Sequence, residues 1–435
     1  MLTRNICTIF AHPHRGYFPC GANNNKEKKM TSLENKFIVA IDKHRHVLLL
    51  AVVVLMGAAI RWAGRYFVSE DMTFCLIPWF EKIRAAGGLP ALSEQVGDYG
   101  LLYQTLISLM TYLPLPAVVQ YKLLSSVFDA VLAFLPGMIY RDLKLSRLNG
   151  VQGSDRSRVT FQSVLVAAVV WLLPTVMLNS SYWGQCDSMY ACCCLATIYL
   201  LRRGSFAWAF VLLGLAFGCK LQTVFILPIV GVYYLLSKRF SLCWALLSVA
   251  AMWLSGIVAF AYGRSLLSPI MIYTGQVGHY QEMYMGFPSL WMLVGNDYWA
   301  LRWFAILLTL VVLVTGLWYC LNHKRVVLSG ERYYAVAAWF MWSMLLFLPS
   351  MHDRYAYLLD ILLVIVGCVD RRFLKYAVIT VLTSLYFYGI YLFGDRSNGH
   401  VLSSLVYLFA YLHYTRTLVN DIQRDEQQIT EERAI

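Results

Sequence analysis

Five short runs in this 435-residue chain place ionisable and aromatic residues where they could do chemistry. Ser69-Glu70-Asp71 sets two carboxylates at the end of a long apolar stretch. A carboxylate beside a membrane can have its pKa raised towards that of a working general base. A solvated loop acid, or a partner for Arg65, is the plainer reading. Asn179-Ser-Ser-Tyr-Trp183-Gly-Gln185-Cys-Asp187 gathers an aromatic wall, an amide and a carboxylate, groups that hold a sugar by stacking and paired hydrogen bonds. An interfacial tryptophan before a helix-capping aspartate accounts for the same run. Asn179-Ser-Ser also fits a glycosylation sequon, although its nearness to the membrane argues against use. Lys220-Leu-Gln222 presents a lysine at a tight turn with no acid near it in sequence; such an ammonium binds a phosphate as a point charge or snorkels to headgroups. Met351-His352-Asp353-Arg354-Tyr355 holds two cations able to neutralise a phosphate or diphosphate, the arginine with bidentate geometry. His279 to Trp291 is aromatic-rich, with Gly286 and Pro288. It reads as a flexible loop that closes over a lipid or acceptor, or as an interfacial belt.

The elements that must position these runs are apolar helices. The chain is 59% hydrophobic and only 14% charged, against about 25% charged residues in soluble domains, which excludes an ordinary soluble enzyme. At about 20 apolar residues per crossing, the length has room for roughly ten to twelve crossings. Apolar windows predict spans near 47–66, 117–140, 159–177, 187–201, 205–219, 222–237, 241–262, 298–322, 333–349, 354–369, 373–393 and 401–415. The expected fold is therefore all-α, a polytopic membrane bundle of about 12 transmembrane helices over 47–415. A disordered N-terminal tail (1–46) and a C-terminal tail (416–435) flank it.

Basic residues set the sidedness. One set of alternate connections, with both tails, holds 26 of the 36 Lys and Arg residues and is cytoplasmic by the positive-inside rule. All five runs then fall on the extracytoplasmic side. The net charge of +12 becomes a signal of topology and calls for no nucleic acid. The long first outer loop carries two amphipathic segments, Cys75–Ala85 and Leu101–Leu113, too short to cross and suited to the interface or to capping a cavity. Consecutive Cys192, Cys193 and Cys194 lie in an apolar run without CxxC spacing, which reads as packing rather than metal or redox chemistry. Residues 1–36 lack a continuous apolar segment, so they are no signal peptide; Met30 is an alternative start. One face thus holds acids for proton abstraction, cations for a phosphate and aromatics for a sugar or lipid, which are the parts of a lipid-phosphate sugar transferase.

With Glu70-Asp71, Trp183-Gly-Gln-Cys-Asp187, Lys220-Leu-Gln222 and His352-Asp-Arg-Tyr355 in this order, residues 40–415 resemble the GT-C superfamily of membrane glycosyltransferases. The likeness is closest to the bacterial branch similar to eukaryotic GPI-anchor mannosyltransferases. It implies transfer of a hexose, mannose in that branch, from a polyprenyl-phosphate sugar to a glycan, lipid or protein acceptor, with inversion. It implies Asp71 as the base, with Glu70 the second choice, and Lys220, His352 and Arg354 on the leaving phosphate. Trp183, Gln185, Asp187, Gln222 and Tyr355 would surround sugar or acceptor. No cofactor and no metal are implied, the outer loops lacking an Asp-x-Asp pair. Two departures stand out: Asp353 where relatives commonly carry Glu, and Tyr99-Gly100 where Tyr-Pro is frequent. The second puts acceptor placement in question. The expected location is a bacterial cytoplasmic membrane, with the endoplasmic reticulum as the alternative. A polymerase or ligase of lipid-linked glycans shares the donor. A transporter or flippase also suits twelve spans, though no internal repeat is visible.

Overall fold

The computed structural model describes residues 31–147, 153–276, 279–394 and 399–434, and the chain divides into two units, 1–48 and 49–435. In the first unit, residues 32–48 open helix α1 (Ser32–Ala63). A reciprocal cap starts it: Glu34 N donates to Thr31 Oγ1 at 3.3 Å and Thr31 N to Glu34 Oε2 at 2.6 Å. Residues 32–46, expected in a disordered tail, are therefore helical, while residues 1–30 lie outside the described residues.

The second unit is helical apart from one pair of two-residue strands. After α1 come a π-helical turn (Met72–Leu76), α2 (Ile77–Ala85), α3 (Leu101–Met110), α4 (Ala117–Arg147), α5 (Gly153–Trp171), α6 (Pro174–Met177) and a second π-helical turn (Leu178–Trp183). There follow α7 (Asp187–Arg203), α8 (Phe206–Cys219), α9 (Leu227–Ser237), α10 (Ala245–Leu254), α11 (Ile257–Ala261) and α12 (Ser268–Gln276). Strand β1 (Tyr284–Met285) precedes α13 (Trp291–Val294), α14 (Tyr298–Asn322), α15 (Lys324–Val327) and α16 (Arg332–Phe347). Strand β2 (Met351–His352) then leads to α17 (Tyr357–Val369), α18 (Leu374–Phe393) and α19 (His400–Ala434). Both amphipathic segments of the first outer loop are thus helical, as α2 and α3.

Among the described residues four helices, Lys43–Tyr66, Ala117–Arg147, Tyr298–Asn322 and Arg371–Phe393, are long and apolar enough to cross a membrane. A fifth is the pair 155–171 and 174–183, bent by 48° where Pro174 stops the helix before it. Twelve were expected, and the shortfall has two causes. The windows at 187–201, 205–219, 222–237, 333–349 and 354–369 yield helices of 17, 14, 11, 16 and 13 residues; at about 1.5 Å per residue all of these fall short of a core about 30 Å thick. Their apolar character also serves protein packing, since almost every residue of α16 and α17 is buried. By contrast, only 22% of the apolar window of 298–322 is buried, as befits a lipid-facing helix.

Ion pairs tie the helix ends together. Arg147 closes α4 and pairs with Glu331 before α16; Arg203, closing α7, sits 3.2 Å from Asp142. Arg332 opens α16 beside Asp370, which follows α17. At the other end of the same elements, Asp187 opens α7, Lys220 follows α8 and Arg354 precedes α17.

Candidate active site

Asp71 sits where the chain leaves α1 and enters the first π-helical turn. Its Oδ2 accepts hydrogen bonds from Trp183 Nε1 (2.8 Å) and Gln185 Nε2 (2.5 Å), and its Oδ1 from the Tyr391 hydroxyl (2.7 Å). Arg354 Nη1 lies 3.6 Å from Oδ2. Burial pushes this carboxyl up, but Arg354, the bonds from Tyr391 and Trp183, and Lys220 outweigh it, so Asp71 titrates below its ordinary value of 3.8. A base raised towards the working range was expected; the partners across the fold reverse the direction.

The Trp183-Gly-Gln-Cys-Asp run is shaped by Gly184, which adopts a left-handed φ of 79°. A Cβ there would strike Met72 Cε, so glycine lets the loop close onto the π-helical turn that carries Asp71. Trp183 was assigned to sugar stacking. Its ring is instead fully buried, stacked on Tyr391 at 4.3 Å with the Arg354 guanidinium 5.3 Å from it. Its task is to hold Asp71. Asn179 is likewise buried and donates to Asp187 Oδ2 at 2.8 Å, which removes it as a glycosylation acceptor.

Asp187 is the hub of the second half. Its Oδ1 receives Lys220 Nζ and its Oδ2 lies 3.9 Å from Arg354 Nε, so the lysine that lacks an acid in sequence has one in space. Asp187 itself is buried behind the cavity; the structure gives it a charge-balancing place rather than contact with a substrate. Tyr99 leans over Lys220 with its ring centroid 5.5 Å from Nζ, and its hydroxyl donates to Gln185 Oε1 at 2.7 Å. The departure at Gly100 has a local reason. Gly100 N donates to Cys219 O at 3.1 Å, and a Cβ would lie 2.2 Å from Gly218 O. Proline, with no N–H and with a Cβ, would lift Tyr99 off the end of α8.

The third part comes from β2. Tyr284 and Met285 pair in parallel with Met351 and His352, and Asp353 N donates to Met285 O at 3.1 Å. The 279–291 segment, read as a flexible loop, is thus stapled to the run that carries Arg354, with Met283, Phe287 and Trp291 in the core. Arg354 is ringed by Asp71, Asp187 and Asp353 at 3.6, 3.9 and 3.8 Å, and its Nε is buried without an acceptor. Burial drives the His352 imidazole down to about 3, helped by Arg354 and Lys220. His352, taken as a second cation, is therefore neutral at neutral pH. Burial lifts Asp353 to about 7, against Arg354 and with Asp71 adding to the rise.

Asp71, Gln185, Lys220, Gln222, His352, Arg354 and Tyr355 all line one cavity of about 390 Å³. Glu70 is exposed and points elsewhere. The sequence reading assigned no role to Tyr391, an aromatic inside an apolar window with nothing to mark it, or to Tyr99 beyond its place in a departure. Among the described residues no three His, Cys, Asp or Glu side chains cluster as metal ligands do. The chain matches no protein-family model and no curated protein.

Proposed function

We propose that this chain is a multi-pass membrane glycosyltransferase of GT-C type that moves a hexose, mannose by its resemblance, from a polyprenyl-phosphate sugar to an extracytoplasmic acceptor. The observation that carries this reading is that one sugar-sized cavity is lined by an ionised carboxylate, Asp71, and by two cations, Lys220 and Arg354. The acceptor hydroxyl attacks the anomeric carbon while its proton passes to Asp71. The bond from that carbon to the phosphate oxygen breaks, and the electron pair stays on the phosphate. Arg354, whose buried Nε has no acceptor, and Lys220 face the charge that develops there. Attack opposite the leaving phosphate inverts the centre.

The reading includes a bundle of about twelve crossings in a bacterial cytoplasmic membrane, several made by helices joined end to end through short turns, with the cavity on the extracytoplasmic side. Supporting it, the basic residues gather at the end of α4, α7, α16 and α17 away from the cavity. The test is to incubate the purified protein in nanodiscs with a panel of polyprenyl-phosphate sugars and measure release of polyprenyl phosphate. Turnover of one member that is lost in Asp71→Asn is the expected result. Failure to consume any member would remove the reading.

A further inference from the structure

Arg354 is placed differently from Arg61 and Arg332, which are buried against carboxylates at hydrogen-bond distance. Arg61 reaches Asp129 at 2.8 Å and Arg332 reaches Asp425 at 2.7 Å, as charged hydrogen bonds should. Arg354 has three carboxylates around it, none nearer than 3.6 Å, and a buried Nε with no acceptor. Lys220, the other Lys or Arg lining the cavity among the described residues, is already spent on Asp187. The guanidinium is thus held by diffuse attraction with its donors unspent, next to an open cavity. We propose that the donor phosphate itself arms Asp71: on binding it draws Arg354 and Lys220 away from their carboxylate partners, so the donor must enter before the acceptor. This rests on the donor class proposed above.

The groups facing Asp71 decide the sign. From the β2 segment come Arg354, His352 and Asp353; from α8, Lys220; from α18, Tyr391; from the first outer loop, Cys75, Asp98 and Tyr99; and from the β1 side, Tyr280. Among the described residues lining the cavity, the Lys and Arg side chains are Arg354 and Lys220. Turning both towards a phosphate removes the positive field that keeps Asp71 ionised and adds negative charge beside it, so Asp71 gains proton affinity when the nucleophile needs a base. After transfer, Asp71 holds the acceptor's proton and the phosphate leaves. Arg354 returns to Asp71, and the proton is released to the cavity.

Calorimetry with decaprenyl phosphate as the probe, in buffers of different ionisation enthalpy, counts protons taken up on binding. At pH 5 the full-length protein in nanodiscs is expected to take up several tenths of a proton more than Asp71→Asn. Tyr391→Phe, which strips one hydrogen bond that favours the ionised carboxylate, is expected to take up more than the parent at pH 5 and serves if Asp71→Asn does not fold. Binding with equal uptake in the parent and both variants overturns the arming of Asp71 and leaves the donor reading intact. Absence of binding overturns both.

Discussion

Two aspartates bracket α17 and titrate in opposite directions. Asp353, before the helix, is lifted to about 7 by burial; Asp370, after it, is held below its ordinary value, with hydrogen bonds and charge from Arg372 and Arg332 overcoming its burial. The helix dipole alone would order them the other way, since it favours an anion at the N-terminus and opposes one at the C-terminus, by about 0.3–1 kcal/mol. Local partners win. Around Asp370, Arg372 reaches 2.6 Å, and Arg332 and Arg372 meet Asp421 at 3.1 and 2.8 Å. Among the described residues the ion-pair partner of Asp353 is Arg354 at 3.8 Å, and Oδ1 is buried without a hydrogen-bond partner. One end of the helix carries several ion pairs at hydrogen-bond distance. The other has unspent donors beside a cavity, the arrangement a site requires and a scaffold avoids.

Substitutions can break that contrast. The largest effect belongs to Asp71→Asn, expected to cut sugar transfer roughly 10²–10⁴-fold while the protein still elutes as a folded species on size-exclusion chromatography. Arg332→Met takes the close partner from Asp425 and one of several from Asp421 and should cost about 1–3 kcal/mol of stability, seen as a lowered thermal midpoint with the specific activity of the folded fraction retained. Arg354→Lys keeps the charge but loses the planar fork: turnover should fall roughly 10²-fold with a midpoint close to the parent's. Equal stability losses in the Arg332 and Arg354 variants would erase the distinction between the two ends.

The pH dependence sharpens it further. Folded Asp353 keeps a proton that the unfolded chain has shed, so its contribution to stability is fully present below 3.8 and is lost as pH rises through about 7. Folded Asp370 sheds its proton early, so its contribution is present above the ordinary carboxylate value and is lost as pH falls below it. Thermal midpoints across pH 4–8 should therefore rise for Asp353→Asn relative to the parent at the alkaline end and fall for Asp370→Asn. The smallest effect is expected at Glu70→Gln, an exposed residue off the cavity, whose activity should stay within about twofold; a large loss would return Glu70 to the role of base.

Much of this could be read along the chain. Trp183-Gly-Gln-Cys-Asp187, Lys220 and Arg354 were visible because charge is rare in an apolar chain, and their common end followed from counting basic residues elsewhere. Which apolar windows form a single helix long enough to cross was not legible. Apolar windows such as 333–349 and 354–369 look alike whether they face lipid or protein, and here they face protein. Tyr391 was invisible for a related reason: it is one of many aromatics in its window, and what distinguishes it is a partner 320 residues away.

By itself, then, the sequence determined the helical class and the residue types at the site, because these depend on composition and local spacing. The tertiary structure decided which charges meet. It gave Lys220 its acid in Asp187, took Trp183 from the sugar and gave it to Asp71, neutralised His352, and left Arg354 among three carboxylates without a hydrogen bond to any. Electrostatic partnership depends on distance and burial, and neither is written in the order of residues.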